Sequence, residues 1–361
     1  MKMNLLRSLP KFFVLFLLLA VQACEKDPDP QVSPGAAGYF VVNEGGFNNS
    51  NTSISFYDRE KDAVTNDVFA AKNGRALGDQ TQSMTVFEGK GYIVVQHSAK
   101  VEIINADDYS LITTISEDVG SPRYFLGVSS SKGYLSDWGN GAEGFVKVID
   151  LDQNKVVNTI TTGKGANKML LRDGKVYVAN SGGFDNDNTI SVIDTSNDTV
   201  IKTIEVGDNP NSLQFDKDGN LWVASAGKFV YNEDFSINEE ESTKSTISKI
   251  VNDEETARYD IEGIAYPGVA HLNINNAGDN LYFLFNGKVF SMSVSATSTP
   301  ATALIGDKYF YGLAVDPYND DVIACEAPDY SSPGKVYTYR GNATVFKTID
   351  VGIAPNGVAF K

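Results

Sequence analysis

A nine-residue phrase recurs along the chain. Thr199-Val-Ile-Lys-Thr-Ile-Glu-Val-Gly207 returns as Thr344-Val-Phe-Lys-Thr-Ile-Asp-Val-Gly352, and Lys155-Val-Val-Asn-Thr-Ile-Thr-Thr-Gly163 is a third copy. Pro210-Asn211 and Pro355-Asn356 follow two of the copies at matching offsets. Short β-rich units repeating every ~40–50 residues point to a propeller, because no such unit can bury its apolar face alone.

Four strand types can be followed through the sequence. The first type reads Gln82–Phe87, Pro122–Val128, Asn167–Leu171, Asn211–Phe215, Val269–Ile274, Tyr311–Val315 and Asn356–Phe360. The second type opens at Tyr39–Asn43, the third at Ser53–Tyr57 and the fourth at Val64–Phe69, and each recurs as often as the first; the fourth in the sixth unit is Thr302–Ile305. The expected fold is therefore all-β: a seven-bladed β-propeller of four-stranded blades over residues 38–361. The chain enters on a second-type strand and leaves on a first-type one. One blade must then combine the C-terminal strand with N-terminal strands, which closes the ring and removes an exposed sheet edge. Helix-period patterns are absent.

Loop lengths separate the two faces of the disc. First-to-second and third-to-fourth loops are tight Asp/Asn/Gly turns, such as Glu88-Gly-Lys90 and Asp216-Lys-Asp-Gly219. Asp216 is thus expected to be dispensable for the fold. On the opposite face the loops are long, including Glu44–Thr52, Trp138–Phe145, Ser181–Thr189, Ala226–Thr246 and Ala327–Lys335. They carry Phe47, Trp138, Phe184, Phe229, Tyr231, Phe235, Phe310 and Tyr330 among their aromatics. Long loops on a rigid scaffold are where binding is expected.

Composition limits the chemistry. With 30 Lys+Arg against 46 Asp+Glu, the net charge of −16 argues against nucleic acid as a partner. Two Cys and two His leave little room for a disulfide framework, a Cys-ligated zinc site or a His-dependent triad. His271 lies inside a first-type strand and reads as core. Asp185-Asn-Asp-Asn188 alternates oxygen ligands but lacks the Gly and distal Glu of a full calcium loop, and reads as a solvated turn. Carboxylates and amides at second-strand ends, Asn43, Glu44, Asp137, Asn180 and Glu326, leave open a channel calcium ion. No nucleophile elbow, P-loop or HExxH motif is present, so the expectation is not an enzyme, with no catalytic cofactor and no metal site.

The N-terminus reads as an address. Lys2, Arg7 and Lys11 precede an apolar run from Phe12 to Val21, too short to span a bilayer core of about 30 Å. Val21-Gln-Ala-Cys24 resembles a bacterial lipobox, which makes residues 1–23 a signal peptide and Cys24 the lipidated residue. Residues 25–37 form a Pro-rich tether. Acidic residues directly after Cys24 resemble the surface-export signal of certain Gram-negative lipoproteins. The expectation is an outer-membrane lipoprotein, exposed at the cell surface and held to the membrane through its lipid anchor alone.

The repeat copies, with Val176-Tyr-Val-Ala-Asn180 and Ile190-Ser-Val-Ile-Asp-Thr195, resemble the YncE-like, or YVTN-repeat, propellers. A closer resemblance is to the surface cobalamin-capture (BtuG-type) lipoproteins of gut Gram-negative bacteria. It rests on Val41-Val-Asn-Glu-Gly45 with Phe47, Gly78-Asp-Gln-Thr-Gln-Ser-Met84, Gly120-Ser-Pro-Arg-Tyr124, Tyr311-Gly-Leu-Ala-Val315, and Asp329-Tyr330 before Lys335-Val-Tyr-Thr-Tyr339. This resemblance implies capture of a scarce nutrient, cobalamin or another corrinoid, and its transfer to a TonB-dependent outer-membrane transporter. Cobalamin would be a transported ligand and not a cofactor. A corrinoid is a broad amphipathic disc with amide arms, which suits aromatic patches and amide or guanidinium donors. The expected ligand-binding residues are Asn43, Phe47, Arg123, Trp138, Asn180, Phe184 and Tyr330, with Arg75 and His97 as secondary choices. The alternatives are a protein- or glycan-interaction propeller without a small ligand, and a calcium-dependent lactonase-like hydrolase.

Overall fold

The computed structural model describes residues 37–361, residue 342 excepted. The signal peptide, Cys24 and all but the last residue of the tether lie outside the described residues. Seven antiparallel sheets stand in a ring, and the first-type strands line its axis, each contacting the next. Closure is as expected. Pro355–Phe360 pairs with Gly38–Asn43, from Tyr39↔Phe360 to Asn43↔Pro355, and so completes the first blade. Lys361 continues the ladder by donating its N–H to the Gly38 carbonyl at 3.0 Å.

The core is divided into seven clusters, one at each blade–blade interface. Phe40, Phe56 and Phe69 of the first blade pack with Ile93 and Ile104 of the second. The series returns to its start where Tyr39 and Val41 meet Ile323 and Cys325 of the seventh. Burial pushes the Cys325 thiol up to about 12, so it is an inert core residue. Alternating apolar residues on both sheet faces account for this arrangement, since every sheet is covered on two sides.

Polar side chains stitch neighbouring inner strands together. Ser83 Oγ donates to the Arg123 carbonyl at 2.7 Å, and Thr85 Oγ1 to that of Phe125 at 2.9 Å. Asn211 donates to the Val269 carbonyl at 2.7 Å and Asn273 to that of Leu313 at 3.2 Å. Asn356 reaches the Thr81 carbonyl at 3.2 Å and so seals the closing blade to the second. At the tight-turn rim, Lys175 and Tyr177 both bond Asp253 of the next blade, at 2.7 and 2.6 Å. Lys132 and Tyr134 bond Asp198 in the same way.

The repeated glycine has a steric cause. A Cβ on Gly352 would lie 2.5 Å from Ser53 Oγ and 2.7 Å from the Asn43 amide carbon. At Gly163 it would lie 2.5 Å from Asn180 Nδ2, and at Gly207 2.2 Å from Thr246 Oγ1. These three outer strands therefore end against polar side chains of the next blade, where a Cβ would collide.

Two outer strands differ from expectation. The stretch read as Val64–Phe69 is a strand only over Ala63–Thr65, followed by a helix over Val68–Asn73. Asp67 takes a left-handed conformation that breaks the extended chain, and Val68 and Phe69 turn into the core. Ala70, Ala71 and Lys72 are strong helix formers. In the sixth blade Thr302–Ile305 is reduced to one bridge, Ile305↔Val289, beside a three-stranded sheet. The Ser/Thr-rich approach through Pro300 has no apolar alternation to hold a longer edge strand.

Candidate functional site

The long-loop face carries four edge-to-face aromatic pairs, one of them Phe229 with Tyr266 at 5.5 Å, and the other three, around the mouth of the central channel, carry the candidate residues. Phe47 meets His97 at 4.9 Å, Trp138 meets Phe184 at 5.8 Å, and Tyr330 meets Tyr311 at 5.1 Å. Phe184 is 76% exposed, Phe47 60% and Tyr330 47%, so each pair offers an apolar ring to solvent. Gly141 sets the position of Phe184: a Cβ there would lie 1.8 Å from the ring.

Beneath the aromatics lies a polar layer. The Arg123 guanidinium stacks 4.0 Å from the centre of the Trp138 ring and donates to Gln96 Oε1. Tyr311 donates its hydroxyl to Glu44 Oε2 at 2.6 Å. Burial raises the Glu44 carboxyl above its ordinary value, opposed by the Tyr311 hydrogen bond and the Arg123 charge. Burial lowers Arg123, opposed by Tyr124 and Glu44. Deeper in, Lys168 sits over the Tyr124 ring at 4.8 Å. Burial, and then the Lys168 charge, hold His271 down to about 4, so the imidazole is neutral at pH 7. His271 is half-buried beside Lys168 and not in the apolar core, contrary to its reading from sequence.

The backbone device behind this layer is a set of β-bulges. Six of the seven inner strands shift register where they enter from the loop-rich face, around Gln82, Arg123-Tyr124, Asn167-Lys168, Asn211, His271-Leu272 and Asn356. Bulges re-aim side chains and gather beside functional sites. His271 adopts a left-handed backbone there, with φ 54°.

The structure thus brings Arg123, Trp138 and Phe184 together, and sets Phe47 and Tyr330 on the same rim. Asn43 and Asn180 stand apart. Both are fully buried, with no surface to offer a ligand. Asn43 donates to Ser53 and Ser55 at 3.2 and 2.9 Å, and Asn180 to Thr189 and Ser191 at 2.9 and 3.0 Å. Arg75 is also occupied: with Lys100 it neutralises the buried Glu102, at 2.8 and 2.6 Å. Phe310 is core, 2% exposed. The carboxylates of Asp185–Asn188 are engaged by the protein, Asp187 by Thr189 and the Lys164 amide, and Asp185 by the Lys164 ammonium. Among the described residues no group of three or more His, Cys, Asp or Glu is placed to hold a metal ion.

A family model described as a domain of unknown function, DUF5074, matches residues 37–349. The chain belongs to the DUF5074 family. No curated protein matches it. This DUF5074 propeller is similar in structure to a quinonprotein alcohol dehydrogenase-like protein of Bacteroides thetaiotaomicron, at 16% identity and a TM-score of 0.66, over 90% of this chain and 78% of that one. It is also similar to the periplasmic gluconolactonase of Pseudomonas aeruginosa, at 12% identity and a TM-score of 0.63, over 90% and 98% of the two chains. At these identities the likeness is one of fold.

Proposed function

We propose that this DUF5074 protein is a lipid-anchored binding propeller of the outer cell surface. It captures a corrinoid on its loop-rich face and passes it to a TonB-dependent outer-membrane transporter; it binds and does not catalyse. The observation that carries the reading is the rim itself: exposed rings of Phe47, Phe184 and Tyr330 stand around a polar channel mouth. A broad amphipathic disc can rest its edges on such rings while its amide arms reach the polar layer below. The working set is Phe47, His97, Arg123, Trp138, Phe184 and Tyr330, with Asn43 and Asn180 as scaffold.

Gel filtration of purified protein with cyanocobalamin tests the ligand. Red colour should elute with the protein peak. Elution of all the colour at the small-molecule volume would contradict the corrinoid reading and favour an interaction propeller. The anchor has its own test. Cys24→Ser should abolish metabolic palmitate labelling and release the protein from membranes, since the acyl chains lose their attachment. A variant that stays labelled would contradict lipidation at Cys24.

A further inference from the structure

The described residues of this acidic chain pair most of their cations. Sixteen Lys or Arg residues lie within 4.0 Å of a carboxylate oxygen. Arg123 and Lys168 are not among them, although both are half-buried at the channel mouth, where an unpaired charge is costly. They enter from adjacent blades, each from a register shift of an innermost strand.

Their contacts leave donors over. Arg123 spends one N–H on Gln96 and lays its face on Trp138, and its Nε is buried without a hydrogen-bond partner among the described residues. Lys168 has the Tyr124 ring as its contact, and the Tyr124 hydroxyl is itself held by Gln82 at 3.4 Å. His271 flanks Lys168 from the sixth blade. Glu44, from the first blade, is the carboxylate whose charge bears on Arg123, but it is already bonded by Tyr311. The buried Asp137 beside Arg123 is taken up by the Gly120 and Ser121 N–H groups, so the donors left on Arg123 and Lys168 face no free carboxylate among the described residues.

The geometry points to an oxyanion subsite in the channel mouth, in which Arg123 and Lys168 hold a carboxylate or phosphate group of the captured small molecule. Arg123 supplies the directional N–H fork and Lys168 a point charge, the usual division between these side chains. The subsite rests on the reading of the loop-rich face as the ligand face, and not on the ligand being a corrinoid.

Thermal melts at constant ionic strength, with sodium phosphate or sodium citrate replacing sodium chloride, test it. The wild-type midpoint should rise saturably, by about 3 °C at saturation. Lys168→Met and Arg123→Met should lose the rise, while Lys202→Met, on an exposed outer strand, should keep it. Lys168→Met alone suffices if the arginine variant fails to fold. A response to either anion that disappears with Lys168 supports the subsite, and the responding anion identifies the group it prefers. No saturable rise in the wild type, or an equal rise in Lys168→Met, overturns it. Anion binding without cyanocobalamin binding keeps the subsite and removes the corrinoid. Cyanocobalamin binding without any anion response does the reverse.

Discussion

Deleting residues 355–361 should leave the protein without a cooperative fold at 37 °C. The deletion removes the strand that pairs with Gly38–Asn43, together with Val358 and Phe360, which pack against the cluster of Tyr39 and Val41. Full burial of such a side chain is worth about 1.5–3 kcal/mol, and these two, being half-buried, contribute part of that each. The same cut opens an unpaired edge beside the channel and removes the Asn356 bond to the second blade. Together these losses reach the scale of a whole domain's stability, about 5–15 kcal/mol. Urea unfolding followed by tryptophan fluorescence gives the comparison. A truncated protein with the wild-type midpoint would contradict closure through this strand.

Asp216→Ala should cost about 3 kcal/mol, although the residue sits in a surface turn. Its carboxylate is buried and accepts the Trp222 indole N–H at 2.9 Å, the Asn220 amide N–H groups at 2.9 and 3.0 Å, and the Asp218 N–H at 3.0 Å. Truncation leaves a buried indole donor unsatisfied, alone worth about 1–3 kcal/mol, and releases the turn. Burial pushes the Asp216 carboxyl up, but these hydrogen bonds outweigh it and hold the folded value below the ordinary 3.8. The ionised form therefore stabilises the fold above that ordinary value, and the contribution is lost as pH falls through the lower, folded one. The stability gap between wild type and Asp216→Asn should be largest near pH 7 and shrink toward pH 3. A gap of the same size at both pH values would contradict the hydrogen-bonded carboxylate.

Asp216 also marks where sequence reading stopped. Its turn was legible from Asp-Lys-Asp-Gly, but its burial depends on Trp222 folding back beneath it, a contact that strand spacing does not encode. The ring was legible because the repeat fixes both strand count and chain closure. The rim was legible for a related reason, since long loops and aromatics concentrate on one face. The polar layer was not. Arg123 was found through a resemblance, whereas Lys168 and His271 lie within first-type strands, and only the bulges turn them toward the mouth. Asn43 and Asn180 show the opposite error. Their position at strand ends suggested exposure, but Gly352 and Gly163, which close the outer strands of the preceding blades, let those blade edges cover them.

The binding face can be tested directly by calorimetric titration of cyanocobalamin into wild type, Phe184→Ala and Asp218→Ala. Phe184 is an exposed ring of the rim, while Asp218 is exposed on the tight-turn face. Loss of an aromatic anchor commonly exceeds 2 kcal/mol at a binding hot spot, so Phe184→Ala should weaken binding by more than about tenfold. Asp218→Ala should bind as the wild type does. Binding by the wild type that is equally strong in Phe184→Ala, or weakened instead by Asp218→Ala, would contradict the placement of the ligand on the loop-rich face.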